Sequence, residues 1–544
     1  MARRLLFGAL LLATVGLLTT LLMQALEQGG WTLLKLALLL AFIPVAVWLG
    51  ICVGNAVPGF IVLVASRRAA LAVLPVQDTF DRAPIALRTA IVVTVRNEDM
   101  GAVLPPLRLL MAALDDPAHF QAWVLSDTQE PALAEAEATA IAAAGFALSY
   151  RRRTNNAGYK AGNVMDFLDH HAAEVELVVM LDADSTMAAA AVRRLVRIMQ
   201  ADPSLGLVQH LTAGRPAAAA FPRLFQFGMR AGMRVWSVGQ ALWQGRAGPY
   251  WGHNAIFRAT AFRTHCRLPP LADGSIILSH DQVEAARLSA AGWGVVVWAE
   301  DDGSYEANPP AMPEFLHRDR RWLAGNMQYR HLLTAPGFLP MGRWQLVQAM
   351  LLFAGAPLYV AIYLMAVGLA AAASAAGPGP ATLAVAIAWP LALYAPKLLG
   401  YTEILLFPAR RAAYGGADRF VVGALIEIVF TLLLDAPAYV SKTLALLRLL
   451  LGGQPGWLPQ NRSDRGVAWH EALRLFWPHT LLGMMTFSVL LHAGAAYALL
   501  ALPFAGGLLT VVPFCVLTSG PTVSRWLASR RIAAMPEELT PPAA

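Results

Sequence analysis

The chain has 544 residues, is 57% hydrophobic and only 14% charged, and carries a net charge of +7. Soluble globular domains hold about 25% charged residues, so the composition argues against a wholly soluble protein. The arginines cluster beside apolar runs rather than along a basic stripe, so no nucleic-acid partner is expected, and three scattered cysteines make neither a disulfide framework nor a CxxC metal pattern.

The apolar surplus is confined to residues 1–66 and 344–524, which flank a segment of ordinary composition at 67–343. Leu5–Leu26 is long enough for a bilayer crossing, which takes about 20 residues. Arg3 and Arg4 place its start on the cytoplasmic side, and its length without an A-x-A site reads as an anchor rather than a cleaved leader. Leu33–Val64 is the return span and ends at Arg67 and Arg68, which leaves residues 67–343 in the cytoplasm.

Within 67–343, apolar runs of strand length (Thr89–Val95, Ala122–Leu125, Phe146–Tyr150, Val175–Leu181, Leu205–Gln209) alternate with helical stretches such as Pro131–Ala144 and Ala188–Ala201. That alternation predicts an α/β fold with a mostly parallel sheet. Ligands then bind beyond the carboxyl ends of the strands, where Arg96-Asn97-Glu98, Asp127 and Asp182-x-Asp184 fall. Neither GxGxxG nor GxxxxGK[ST] occurs, so dinucleotide and P-loop chemistry lack support. An acidic rim suits a hard divalent cation shared with substrate phosphates, although an Asp-x-Asp alone is better read as two solvated acids in a turn. Arg151–Arg153 reads as a solvated surface run, and no paired His/Cys spacing accompanies His253 or His280 to hold zinc. Ser279–Gly292 reads as a helix opened by a capping box, Ser279 to Gln282, and closed by glycine, with Asp281 in its first turn. RDRRWLAGNMQ (Arg318–Gln328) would by itself also suit a membrane-surface helix.

Beyond 343, Gln345–Ala373 and Ala381–Phe407 form a hairpin around the GPGP turn, and Arg410, Arg411 and Arg419 mark the inside again. Phe420–Leu451 has cytoplasmic flanks on both sides, so it crosses zero times or twice, as an interfacial segment at 420–451 or a short hairpin kinked near Pro437. A cytoplasmic loop at 452–478, a last hairpin (Thr480–Leu502, Phe504–Thr522) and a cytoplasmic tail at 525–544 complete the organisation. Trp457, Trp469 and Trp477 read as interfacial anchors before gating contacts.

Taken in order, Asp127, Asp182-x-Asp184, Ser279-His280-Asp281 and Arg318-x-x-Arg321-Trp322 resemble the D, DxD, [ST]ED and QxxRW series of the processive family-2 glycosyltransferases, the class of cellulose, chitin and hyaluronan synthases. His280 and Arg318 replace the usual Glu and Gln. With LSDT (125–128), YKAGNVMDF (159–167), YWGHNAIFR (250–258), GSYE (303–306) and RDRRWLAGN (318–326), the series resembles the branch that builds osmoregulated periplasmic glucans. The first strand, VTVRNED, departs from that pattern. The resemblance implies an α/β GT-A-like glycosyltransferase domain inserted between α-helical transmembrane segments of a bacterial inner membrane, with the domain cytoplasmic. It further implies UDP-glucose as donor, a growing glucan as acceptor, inversion, a linear β-1,2 backbone exported through the protein's own membrane region, and periplasmic glucan-processing proteins as partners. Mg²⁺ or Mn²⁺ is then held by Asp184, with Asp182 facing the metal or the ribose. Arg321 clamps the pyrophosphate and Asp281 is the base. Glu98 and Asp127 touch the uridine with Lys160 and Asn163 beside them, Trp322 stacks on the acceptor sugar, and Gly252, His253 and Asn254 leave room for it. The runners-up are a synthase of cellulose or hyaluronan type, a single-addition lipid-carrier glycosyltransferase, and a transporter with a nucleotide-sugar-binding domain.

Overall fold

The computed structural model describes residues 1–74, 80–271, 273–373, 377–453 and 465–540; Trp457 and much of the 452–478 loop lie outside them. The chain opens with α1 (Ala2–Glu27) and α2 (Leu33–Ala65), then a short α3 (Ala69–Val73). Both long helices are apolar enough to cross a membrane, as a helix hydrophobic all round must be if lipid rather than water surrounds it.

The α/β unit follows, in the order β1 (Thr89–Val95), α4 (Met100–Leu114), β2 (Phe120–Ser126), α5 (Pro131–Ala142), β3 (Leu148–Arg152), α6 (Tyr159–His170), β4 (Leu177–Asp182), β5 (Thr186–Met187) and α7 (Ala189–Ala201). It continues with β6 (Leu205–His210), β7 (Ala213–Gly214), α8 (Ala220–Gln244), β8 (Ala255–Arg258), α9 (Ala259–His265), α10 (Asp281–Ala290), β9 (Gly294–Trp298), β10 (Ser304–Glu306) and α11 (Met312–Met327). The main sheet has the order β3-β2-β1-β4-β8-β6-β9. Its pairs are parallel except where β8 enters antiparallel between β4 and β6, so the mostly parallel sheet expected from the alternation forms, with one reversed strand.

Strand β4 shows why the sheet is stable. Leu177, Val179 and Leu181 pack on one face with Val192 and Leu195 of α7, while Val178 and Met180 face Phe167 of α6 and Phe257 of β8. Two-sided burial explains the unbroken apolar run and is worth about 1.5–3 kcal/mol per large side chain. A second sheet, β5-β10-β7, lies directly after Asp184.

The remaining helices are α12 (Pro340–Ala354), α13 (Ala356–Ala371), α14 (Pro380–Leu393), α15 (Ala395–Leu406), α16 (Pro408–Ala413), α17 (Ala417–Leu450), α18 (Trp469–Ala493), α19 (Ala495–Ser519), α20 (Pro521–Ser529) and α21 (Pro536–Leu539). The spans expected at 345–373 and 381–407 are each a bent pair, broken by 43° between α12 and α13 and by 67° between α14 and α15. The kinked hairpin considered for 420–451 is corrected: α17 is one continuous helix of 34 residues that runs through Pro437. Length and apolarity alone would let it cross a bilayer. Yet Phe420 near its start packs on Phe227 of α8, with ring centroids 5.4 Å apart, and Lys442 near its end pairs with Asp319 of α11 at 2.9 Å. The last hairpin turns at Gly494 (φ +142°), ahead of the expected break, and Pro503 lies inside α19. A bundle tolerates such prolines because neighbouring groups satisfy the freed carbonyl, so glycine rather than proline marks the turn.

Helix α8 ties the α/β unit to the membrane helices. It crosses α2 backbone to backbone: a Cβ on Gly59 would stand 2.0 Å from the Val235 carbonyl oxygen, and one on Gly239 would stand 1.9 Å from that of Asn55. Trp243 Nε1 donates to Asn55 Oδ1 at 2.8 Å. Segment 67–343 is therefore not a detached unit; α8 belongs to both layers.

Candidate active site

The parallel register aligns Val95 with Ser126 and Thr94 with Asp182, so β1, β2 and β4 deliver Arg96–Glu98, Asp127 and Asp182–Asp184 to one edge. Antiparallel β8 starts at that edge and brings Gly252–Asn254 with it. The structure thus assembles one rim from segments more than 150 positions apart.

Lys160 stands in the first turn of α6, after Gly158 (φ +71°). Its ammonium pairs with the Asp182 carboxylate and donates to the Gly252 carbonyl at 2.8 Å. It bridges the Asp-x-Asp turn and the loop before β8.

Asp127 is 4% exposed, and both its oxygens are taken by Arg153, through Nε at 2.7 Å and Nη2 at 2.6 Å. Arg153 also donates to the carbonyls of Ala157 and Tyr159, while Arg151 donates to Asn163 O and pairs with Asp166. Arg151 and Arg153 are therefore not solvated: they brace the loop that aims Lys160, with Asp127 as the anchor, while Arg152 between them stays exposed. Glu98 lies half-buried after the left-handed Asn97 (φ +58°), whose N–H donates to Thr128 Oγ1 at 2.9 Å.

Two expected contact residues lie behind the rim. Asn163 is 1% exposed and donates to Leu125 O at 3.1 Å, fastening α6 to β2. Asn254 is fully buried and donates to Ser304 Oγ at 2.9 Å. Both amides are turned into the protein, so the structure places these two side chains behind the rim rather than on it.

Asp281 is the first residue of α10. A Cβ on Gly252 (φ +86°) would stand 3.6 Å from the Asp281 Cβ, so the loop beside Lys160 and the helix bearing Asp281 touch. Burial raises the Asp281 carboxyl above the ordinary aspartate range, against the opposing effect of His280. The capping box does not form. His280 occupies the cap position and its Nδ1 meets Glu284 at 2.8 Å. Ser279 instead packs on α11, where a Cβ on Gly325 would stand 2.1 Å from its Oγ. Gly292 (φ +89°) lies just past the helix end, as its position implied.

On α11, Arg318, Arg321 and Trp322 share a face, as residues three and four apart do. Trp322 is 48% exposed, and the Arg318 guanidinium lies 4.5 Å above its ring. Asp319, beside Trp322 on the flank of that face, pairs with Lys442 of α17, so α11 is held against α17 rather than lying free on a lipid surface.

His253 Nε2 pairs with Glu306 at 3.2 Å, a partner that motif reading passed over although GSYE was part of the resemblance. The signal is in β10: Tyr305 pairs with Thr186, two residues after Asp184. Burial raises the Glu306 carboxyl, His253 and Arg318 oppose it, and Asp184 and Asp182 add to it. The resulting concentration of hard oxygen donors suits Mg²⁺ or Mn²⁺. Among the described residues no three His, Cys, Asp or Glu side chains form a metal cage by themselves.

The family model "Glycosyl transferase family group 2" matches residues 177–396. A relative from Xanthomonas campestris pv. campestris (strain B100), "Glucans biosynthesis glucosyltransferase H", is 31% identical over 552 residues, covering 96% of this chain and 85% of its own. One of the same description from Ralstonia nicotianae is 32% identical, covering 99% of this chain and 66% of its own. Among solved structures, a mannosyltransferase from Pyrobaculum calidifontis in complex with GDP-Man and Mn²⁺ is similar at 16% identity and TM-score 0.39, covering 66% of this chain and 99% of that one. S. aureus TarS 1–349 in complex with UDP is similar at 11% identity and TM-score 0.30, covering 57% and 90%. These two likenesses are too slight to carry an argument.

Proposed function

The chain belongs to the glucans biosynthesis glucosyltransferase H family, and from that premise we propose that it polymerises glucose from UDP-glucose into the linear β-1,2 backbone of osmoregulated periplasmic glucans. It works with inversion, at the cytoplasmic face of the bacterial inner membrane, and exports the chain through its own membrane region toward periplasmic processing proteins. The observation that carries the reading is the meeting of Asp281, Gly252, Lys160 and Asp182 at one rim.

The geometry supports the following division of labour. Asp281 accepts the proton of the acceptor hydroxyl as that hydroxyl attacks the anomeric carbon; a positioned base of this kind contributes about 10²–10⁴-fold. One base without a neighbouring nucleophile corresponds to direct displacement, hence inversion. Arg321 grips the diphosphate with its planar fork, and Lys160 adds positive charge once substrate reaches Asp182. Trp322 offers the acceptor a flat apolar face, with Gly252 and His253 leaving space beside it. Asp127, through Arg153, and Glu98 border the nucleoside end. Asp184, with Asp182, would hold Mg²⁺ or Mn²⁺, which supplies charge neutralisation for the departing UDP. Residues 344–524 line the export route, with α17 lying along the inner face because both its ends engage the α/β unit.

The test is to give the purified protein labelled UDP-glucose and map the product's linkages by NMR. UDP release with a β-1,2-linked polymer is expected. A single glucose on lipid, or a β-1,4 polymer, would replace the reading by one of its rivals. Chelation with EDTA should stop UDP release and Mg²⁺ or Mn²⁺ should restore it, except in Asp184→Ala, where a persisting response to metal would remove that ligand.

A further inference from the structure

We propose that the carboxy-terminal segment 532–540 is a positioning element of the catalytic rim, acting through Glu537 and Tyr305; for the reaction it influences, the inference rests on the reading above. The segment is part of what the sequence presents as a plain tail, yet α20 and α21 fold back onto α8. Glu537 Oε2 accepts from Arg230 Nη1 at 2.5 Å, and Glu538 Oε2 accepts from Arg223 Nη1 at 2.6 Å. Arg230 is 8% exposed. It also donates to the Asp301 carboxylate at 2.8 Å and to the Asp301 carbonyl at 2.9 Å. A guanidinium held this deeply needs every one of its acceptors, because a buried charge that loses a partner is costly.

The second oxygen of Glu537 is what points inward. It accepts from the Tyr305 hydroxyl at 3.0 Å. Tyr305 is the central residue of β10, and its backbone pairs with Thr186 on one side and Ala213 on the other. Thr186 lies two positions after Asp184, and the residue after Tyr305 is Glu306, the partner of His253. One carboxylate therefore ties the end of the chain, the buried arginine of α8 and the strand that flanks the Asp-x-Asp turn. Strand β10 has only three residues and β5 only two, and strands so short depend on tertiary contacts to stay in register. Glu537 supplies such a contact from outside the α/β sequence. Glu538 makes the same kind of bond to Arg223 but does not reach β10, and without it Arg223 still donates to the Ser524 hydroxyl and the Ala533 carbonyl, which makes Glu538 the internal control.

The experiment compares Tyr305→Phe, Glu537→Ala, their double variant and Glu538→Ala in the full-length protein. Tyr305→Phe removes one oxygen and leaves the Arg230–Glu537 pair in place, so it keeps the test open should Glu537→Ala fold poorly. Tyr305→Phe and Glu537→Ala are each expected to raise the KM for UDP-glucose and the half-activating Mg²⁺ concentration about tenfold, the lower end of what supporting residues contribute. The double variant should be no worse than the more affected single one, as for two residues acting through one bond, and Glu538→Ala should shift neither constant. Hydrogen exchange at residues 184–187 and 303–306 should quicken in Glu537→Ala and not in Glu538→Ala, whichever donor the enzyme uses. Unchanged exchange, or effects that multiply in the double variant, would overturn the proposal. Wild-type protein that releases no UDP from UDP-glucose overturns the donor reading instead, and the exchange measurement still decides the role of the tail.

Discussion

In the proposed role of base, Asp281 must be ionised to accept a proton and basic enough to want one. Burial serves the second need by raising its carboxyl above the ordinary aspartate value, and His280 limits the rise. The sign of the pH dependence follows. The base works in its unprotonated form, so kcat/KM should fall as pH drops through the Asp281 pKa, and that limb should lie above the reference of about 3.9. Replacing His280 by Gln removes the largest opposing influence, so the acid limb should move to higher pH; a pH–rate profile measures it, and an unmoved limb would detach the base from its neighbour. Asp281→Asn should cost about 10²–10⁴-fold in kcat with UDP-glucose binding retained, and undiminished turnover would end the assignment. The positions of Asp182 at a strand end and of Asp281 in a helix first turn were legible in the sequence, because the apolar run and the helix start fix them locally. Asn163 and Asn254 were not. Each lies in a motif beside a rim residue, and only the fold decides that its amide turns back to Leu125 or Ser304. Arg153 was misread for the same reason, since its fork on Asp127 joins two strands whose pairing no local pattern discloses.

At the scale of elements, the alternation of apolar runs and helical stretches marked β1, β6, α5 and α7 nearly to the residue; for the two strands, burial on both faces leaves no other use for such runs. The helix crossing that binds the two layers was not legible: Gly59 and Gly239 stand in different segments, and nothing local says that they meet. Their closeness makes a direct prediction. A Cβ at position 239 would overlap a backbone carbonyl, not a mobile side chain, so α8 and α2 must separate to admit one. Gly239→Val should lower the thermal midpoint of the detergent-solubilised protein by several degrees, since 1 kcal/mol moves a domain of 150–250 residues by about 2–4 °C and overpacking costs about 1–3 kcal/mol. Gly506→Val, at an open position on α19, should leave the midpoint in place. Equal melting of the two variants would show that the crossing is looser than drawn.

The whole molecule turns on which side of the bilayer each end of α17 lies. Its 34 residues extend about 51 Å at 1.5 Å per residue, well beyond the roughly 30 Å of hydrocarbon. Were α17 to cross, Leu451 would face the outside. Lys442, nine positions earlier, pairs with Asp319 of α11, the helix that also carries Arg321 and Trp322. A crossing would therefore draw the Lys442–Asp319 pair, and α11 with it, into or across the bilayer, where ionisable groups are costly even when paired. If α17 lies along the inner face, as proposed, α11 stays at the aqueous mouth and the hairpin of α18 and α19 leaves and returns on the same side as α20. Accessibility of single cysteines decides between the two arrangements. The native Cys52, Cys266 and Cys515 are all buried, so background labelling should be low. Leu451→Cys, at an 87% exposed position, should react with an impermeant maleimide in inverted vesicles and not in intact spheroplasts, while Pro378→Cys at the opposite turn should show the reverse. Labelling of Leu451→Cys from outside would mean that α17 crosses, and the route proposed for the polymer would have to be redrawn around it.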